Sequence, residues 1–289
     1  MLRVSNIRKS YGSLVAVDGL SFELRAGEVF GLLGPNGAGK STTIAMAVGL
    51  LEPDSGSVTL DDGQSPTDPG TRARIGVAPQ QIALYDDLSA EENLTFFGRL
   101  YELPRAALAE RVAELLTLTG LSDRRRDRVK TFSGGMKRRL NLAGAIIHRP
   151  PLVLLDEPTA GVDPQSRHAI FEMIRALTDG GATILYTTHY MEEAQKLCDR
   201  VGIIDHGKLL ALGTVDELIG SHGGKSLVTV QEIVDADGAE QVQERTVATL
   251  DPAAETATQL KNPRVRGVRV DRPDLETVFL ALTGRSLRD

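Results

Sequence analysis

Apolar and polar positions alternate through the first 25 or so residues, in LRVSNIRKSYG and again in LVAVDGLSFEL, with turn signals at Tyr11-Gly12-Ser13 and Asp18-Gly19. A period of two broken by turns predicts antiparallel strands at the head of the chain. Gly27–Gly34 (GEVFGLLG) is an apolar run too short for a helix and predicts a buried strand. A helix is expected from Lys40 to about Leu51, and EPDSGSVTLDDG then predicts a turn, a short strand and another turn. RIGVAPQ is a further strand, ending at Pro79-Gln80. From Leu88 to about Leu121 the spacing becomes helical: Leu108, Val112, Leu115 and Leu116 share a face, and Ser89 with Glu92 forms a capping box. This middle region, about 85–148, is a helical subdomain. After Phe132–Met136 a helix runs to about His148. The strand PLVLLDEP, a helix over Arg167–Leu177, the strand ATILYTTH, a helix over Glu192–Leu197 and the strand RVGIID follow. Strands alternating with helices imply a mostly parallel sheet covered on both faces.

Near Leu218–Lys225 the chain becomes rich in small residues, which marks a boundary between a first domain, 1–217, and a second, 222–289. SLVTVQEIVDA, RTVATLD and VRGVRVD predict strands in the second domain. The tail PDLETVFLALTG sets Leu275, Val278, Phe279 and Leu282 along one helical face. The fold class expected is therefore α/β, with an antiparallel β subdomain and a helical subdomain, plus a small C-terminal α+β domain.

Composition narrows the functional classes. Hydrophobic residues at 41% and charged residues at 25% suit a globular protein with a sizeable core. No apolar run approaches the roughly 18 residues that span a bilayer, and the N-terminus lacks a secretory signal pattern, so a cytosolic chain is expected. One cysteine, Cys198, can form neither an internal disulfide nor a metal cluster and reads as a small buried hydrophobe. A net charge of −6 argues against a general nucleic-acid binder, and the basic run Asp123–Lys130 reads as a solvated loop.

Chemistry concentrates at three places. Gly34-Pro35-Asn36-Gly37-Ala38-Gly39-Lys40-Ser41 fits G-x-x-x-x-G-K-[ST] between a strand and a helix. Its backbone amides and the helix N-terminus would cradle phosphates. Lys40 would supply charge to the β- and γ-phosphates, Ser41 would ligate Mg²⁺, and Thr42 could add a phosphate contact. LVLLDEP presents Asp156 and Glu157 at a strand's C-terminal end, Asp156 to hold Mg²⁺ through water and Glu157 to polarise the attacking water. Ser133-Gly134-Gly135 before a helix is a second anion site, although alone it also fits a turn with an N-cap. Charge spreads over all equatorial oxygens in phosphoryl transfer, so donors are needed on the side that a P-loop leaves open.

In order and spacing these motifs resemble the ATPases of ATP-binding cassette (ABC) transporters: Gly34–Thr42, Gln80, FSGGM at Phe132–Met136, LVLLDEP, GVDP at Gly161–Pro164, and His189. The resemblance spans residues 1 to about 217. It implies that Tyr11 stacks on adenine, that Gln80 touches Mg²⁺ or the attacking water and connects it to a membrane partner, and that His189 contacts the γ-phosphate. It further implies that Asp163 couples two sites, and that two chains pair so that Ser133, Gly134 and Gly135 of one close over ATP held by the other. Two phosphate loops then belong to two different sites. Phe132 and Met136 depart from the commonest signature, Leu-Ser-Gly-Gly-Gln, but keep its Ser-Gly-Gly chemistry. The tail PDLETVFLALTG and the stretch Gln80–Tyr101 resemble the drug, antibiotic and lipid exporter branch, which implies a separate integral membrane permease, a homodimer or paired cassette, and a peripheral place on the cytoplasmic side of the membrane. A nutrient importer ATPase is the alternative. A soluble non-transport ABC ATPase fits less well, because only 93 residues separate Lys40 from Ser133, too few for a long coiled coil. The cargo is not written in this chain, since the permease forms the path.

Overall fold

A computed structural model of the protein describes residues 1–60, 63–236 and 239–285. The chain forms two compact units, Met1–Thr214 and Val215–Asp289, dividing a few residues ahead of the small-residue stretch.

The first unit opens with β1 (Leu2–Tyr11) and β2 (Leu14–Leu24), followed by β3 (Val29–Leu33), α1 (Lys40–Ala47), β4 (Ser55–Leu60), α2 (Pro69–Arg72) and β5 (Ile75–Ala78). The helices α3 (Ala90–Leu100), α4 (Arg105–Leu118) and α5 (Gly134–Ala145) come next, then β6 (Leu152–Asp156), α6 (Pro164–Asp179), β7 (Thr183–Thr188), α7 (Met191–Leu197), β8 (Arg200–Asp205) and β9 (Lys208–Gly213). The alternating N-terminal strands form an antiparallel sheet in the order β2-β1-β4, with Leu2 opposite Leu24 and Leu60. Its inward face, including Val4, Ile7, Leu20, Phe22 and Val58, shares one apolar core with Phe30, Leu32, Ile44 and Leu185. A second sheet has the order β5-β6-β7-β3-β8-β9, parallel except for β9. Strands β3, β6 and β7 are buried along their whole length, as expected for a sheet covered on both faces.

The register of the parallel sheet positions the chemistry. Leu33 at the end of β3 pairs with Thr188 at the end of β7, and Asp156 at the end of β6 pairs with Thr187. Three chain segments therefore leave the sheet side by side at its carboxyl edge, where α/β sheets place ligands.

Several boundaries differ from the sequence expectation. Helix α1 stops at Ala47 rather than near Leu51, where Gly49 takes a left-handed conformation (φ 67°). The Leu88–Leu121 region is two helices, parted where Leu103-Pro104 precludes continuation. Ser89 and Glu92 form the capping box, and Leu108, Val112, Leu115 and Leu116 face the interior. Strand β9 is an addition to the expected elements, because its apolar positions merge with those of β8 across the His206-Gly207 turn. The turn expected at Asp61-Asp62 lies outside the described residues. Along the basic run Arg125 pairs with Glu91 and Lys130 with Asp87 on the exposed surface. Cys198 is buried and free, and its burial pushes the thiol well above its ordinary range.

The second unit contains α8 (Val215–His222), β10 (Ser226–Ala236), β11 (Ala239–Thr249), α9 (Pro252–Gln259), β12 (Val265–Asp271) and α10 (Leu275–Thr283). Its antiparallel sheet has the order β11-β10-β12. Val228 and Val230 of β10, with Leu275, Val278 and Phe279 of α10, are fully buried, while Leu282 is only partly so. RTVATLD is the end of the longer strand β11, and α8 and α9 are additions to the expected elements.

Candidate nucleotide site

The glycine loop leaves β3 and enters α1 as the motif requires. Gly39 adopts φ 101°, and a Cβ there would lie 2.4 Å from the Ala16 carbonyl, so no other residue fits. Lys40 follows at once, 4% exposed, with its ammonium donating to the Gly34 carbonyl (2.7 Å) and the Pro35 carbonyl (3.0 Å).

The acidic strand end meets it. Lys40 Nζ lies 3.0 Å from Glu157 Oε1, and this pair is buried. The other carboxylate oxygen, Oε2, accepts from Gln80 Nε2 at 3.2 Å and lies 3.2 Å from His189 Nδ1, a close approach without the alignment of a hydrogen bond. One carboxylate thus gathers residues from three distant chain segments. Burial works to raise the Glu157 carboxyl, but the hydrogen bond and charge of Lys40, with the nearby His189, outweigh it and hold the group below its ordinary value. Glu157 is a carboxylate at neutral pH. It also sits at φ 45°, a conformation that a non-glycine residue adopts only when its surroundings impose it. Thr187 imposes it: its hydroxyl accepts the Glu157 amide (3.0 Å) and donates to Asp156 Oδ1 (2.7 Å), so one side chain fixes both acids.

A pocket of about 450 Å³ lies in front of this cluster, lined by Tyr11, Leu14, Asn36, Gly37, Gly39, Lys40, Ser41, Thr42, Gln80 and Glu157. Tyr11, at the tip of the β1–β2 hairpin and half exposed, therefore shares one cavity with the glycine loop. Of the three oxygen donors expected for a hard cation, the Ser41 and Gln80 side chains line this pocket, whereas the Asp156 carboxylate, bonded to Thr187, is not among its lining residues. A hydroxyl, an amide oxygen and a carboxylate are the chemistry a hard cation such as Mg²⁺ would take beside phosphate oxygens.

Ser133, Gly134, Gly135 and Asp163 do not line this pocket. The Ser133 hydroxyl caps α5 by accepting the Met136 amide (3.2 Å). Asp163 caps α6, accepting the Ser166 amide (2.9 Å) and hydroxyl (2.7 Å). These bonds hold the Asp163 carboxyl below its ordinary value. The two caps abut, since a Cβ on Gly135 would lie 1.9 Å from Ser166 Oγ. Gly135 is required by packing as well as by any contact with phosphate.

The motif spacing singles out neither Thr187 nor Arg138. Arg138, on α5, donates to the carbonyls of Gln80 and Ala160, tying the helix that begins at Ser133 to the segments on both sides of Glu157. Only the basic run Lys137–Arg139 in the sequence hints at it. Next to Gln80 a second, mainly apolar groove of about 220 Å³ is lined by Leu50, Val77, Pro79, Ala83, Phe97 and Tyr101, among others.

A glycine loop between strand and helix, with an acidic strand end facing its lysine, defines a P-loop nucleoside triphosphatase. The family model described as ABC transporter matches residues 17–160. The chain is 43% identical to the linearmycin resistance ATP-binding protein LnrL of Bacillus subtilis (strain 168), over the full length of both. It is also 43% identical to the Nod factor export ATP-binding protein I of Cupriavidus metallidurans, over all of this chain and 99% of that one. A solved structure of an ATP binding subunit of an ABC transporter matches with a TM-score of 0.70 and 33% identity, over 77% of this chain and 93% of that one. The chain belongs to the ABC transporter ATP-binding family, whose members bind ATP and hydrolyse it to power transport.

Proposed function

We propose that this chain is the ATP-hydrolysing subunit of an exporter, working as a pair of copies on a separate membrane permease. The observation that carries the proposal is the gathering of Lys40, Gln80 and His189 on the single carboxylate of Glu157, in a pocket that also contains Tyr11 and Ser41. Tyr11 offers a face for the adenine ring, and the loop Gly34–Thr42 offers amides to the phosphates. When a γ-phosphate engages Lys40, the buried ion pair with Glu157 is exchanged for one with phosphate. Glu157 then has an oxygen available to accept a proton from water. Gln80 and His189 hold that water and the γ-phosphate oxygens in line. Mg²⁺, held by Ser41, Asp156 and Gln80, would supply positive charge to the β- and γ-phosphate oxygens.

Ser133, Gly134 and Gly135 cap a helix outside the pocket, which supports their use on ATP held by a second copy, with Asp163 beside them at the same junction. Pairing encloses each nucleotide between a P-loop and a signature helix. The groove beside Gln80 is suited to an apolar helix of the permease, and Arg138 would carry its displacement to Gln80 and to the Ala160 segment. The two relatives, one for linearmycin resistance and one for Nod factor export, support export rather than import. Among the described residues no helix is long and apolar enough to cross a membrane, and the likeness to ABC ATP-binding subunits supports a peripheral place for the chain, on the cytoplasmic side of the permease. The second unit, Val215–Asp289, is taken as an interaction module for the pair.

The test is affinity capture of a tagged Glu157→Gln chain from its native membranes in mild detergent with Mg-ATP. Recovery of a polytopic membrane protein in stoichiometric amount is expected. Recovery of ribosomal or DNA-end proteins instead would overturn the exporter reading.

A further inference from the structure

The buried acid Glu193 belongs to none of the motifs above. It lies on α7 with 1% exposure, where a carboxylate persists only if its oxygens are well supplied with donors. Three hydroxyls supply them. Thr159 Oγ1 donates within 2.8 Å of Oε1 and 2.9 Å of Oε2, Tyr186 OH donates to Oε2 at 2.8 Å, and Thr188 Oγ1 donates to Oε2 at 2.8 Å. Arg167 Nε, 3.3 Å from Oε1, adds a compensating charge without an aligned hydrogen bond. Burial, and next the Glu193 charge, push the Tyr186 phenol well above its ordinary value, so it remains a donor.

The origin of these donors matters more than their number. Thr159 belongs to the segment that leaves Glu157 and ends at Asp163, a turn closed by Ala160 N–H to the Glu157 carbonyl (3.1 Å) and Val162 N–H to the Thr159 carbonyl (3.3 Å). Thr188 immediately precedes His189, and its hydroxyl accepts the Tyr190 amide at 2.9 Å, closing the turn that carries the histidine. With its proton committed to Glu193, that hydroxyl must present a lone pair to Tyr190. Arg167 lies in the first turns of α6 after Asp163, and its guanidinium also stands 5.1 Å over the Tyr190 ring. One carboxylate therefore joins the turn bearing His189 to the segment running from Glu157 to Asp163.

We propose that Glu193 is a positioning residue that acts through His189: it locks the His189 turn to the Glu157–Asp163 segment, so that the imidazole stands against Glu157 Oε2. Glu193 touches no nucleotide. This inference rests on the reading of Glu157 and His189 as the hydrolytic pair.

The experiment compares steady-state ATPase activity and ATP affinity of the full chain for wild type, Glu193→Gln, His189→Ala and the double variant, with Glu157→Gln as the control. Glutamine keeps the shape but replaces one acceptor with an amide donor. Glu193→Gln is expected to lower kcat roughly ten- to a hundredfold, the scale of a misplaced catalytic group, with ATP affinity held within about threefold. In the His189→Ala background the same change should alter kcat by less than about twofold, because residues that act through one another are not additive. Equal losses in both backgrounds, or an unchanged kcat in Glu193→Gln, would overturn the proposal. Should Glu193→Gln fail to fold, Thr159→Val carries the test, since it deletes one donor to Glu193, leaves the Tyr190 cap intact and keeps the carboxylate held by Tyr186 and Thr188. The same dependence on His189 is expected. Wild-type activity insensitive to Glu157→Gln would instead refute the reading on which the proposal rests.

Discussion

Replacing Thr187 by valine keeps the side-chain shape and removes one hydroxyl that serves both acids. The Glu157 amide, now accepted at 3.0 Å, and Asp156 Oδ1, now bonded at 2.7 Å, both lose their partner in a setting with almost no solvent. An orphaned buried amide costs about 1–3 kcal/mol, and loss of a hydrogen bond to a charged group costs about 1.5–3 kcal/mol. The added methyl recovers roughly 1 kcal/mol of burial, leaving a net loss of about 1.5–5 kcal/mol. For a unit of this size that corresponds to a fall of about 3–20 °C in Tm, at about 2–4 °C per kcal/mol. The functional loss should be steeper, because Thr187 holds Glu157 in its left-handed conformation and so sets where its carboxylate points. A fall in kcat of roughly a hundredfold is expected, with ATP affinity within a few fold. Thr187→Ser keeps the hydroxyl and should retain most activity at a cost of about 1 kcal/mol for the lost methyl. Calorimetry and a coupled ATPase assay decide it. A Thr187→Val chain that melts and turns over like wild type would refute the claim that this hydroxyl sets the geometry of both acids.

Gly135→Ala should destabilise the protein by about 1–3 kcal/mol through overpacking against Ser166. Calorimetry should show Ser166→Gly restoring part of the lost Tm, whereas a Gly135→Ala chain that melts like wild type would remove the close approach. Burial lowers His148 to about 4, and its ring stacks on Tyr101 at 3.6 Å. Between its unfolded value near 6.5 and about 4, the unfolded chain binds the additional proton, so stability declines as pH falls through that window. The full shift would correspond to about 3 kcal/mol, and partial exposure reduces this to about 1–2 kcal/mol. Denaturant titrations of wild type and His148→Gln at pH 7 and pH 4.5 should differ in slope with pH by that amount, and parallel curves would contradict the assignment.

The alternating and short apolar runs locate most strands, because burial follows the period of the element directly: every second residue in a half-covered sheet, every residue in a sheet covered on both faces. The buried stripe of α4 is legible for the same reason, and the capping box at Ser89 and Glu92 from its residue types at the right spacing. What escaped were elements whose pattern is borrowed from a neighbour. Strand β9 lies at the sheet edge with alternating exposure, and α9 has no fully buried residue, so neither carries a strong apolar signature. At the site, the glycine loop, Asp156 and Glu157 stand out because they sit at predicted strand ends, and Gln80 and His189 stand out through the resemblance in motif order. Thr187, Arg138 and Glu193 do not. Their roles depend on which strand pairs with which and on which carbonyl a long side chain reaches, and both are tertiary facts. A threonine in the strand Thr183–Thr188 satisfies β propensity whether or not its hydroxyl holds two carboxylates.

The central claim is that Ser133 of one copy serves ATP held by Lys40 and Glu157 of another. Light scattering of the Glu157→Gln chain with and without Mg-ATP tests it most directly, because slowed hydrolysis should trap the closed pair. The expected result is a mass that doubles on adding Mg-ATP and returns to that of the single chain when Ser133→Arg is introduced. A single-chain mass at high protein concentration with saturating Mg-ATP would contradict it.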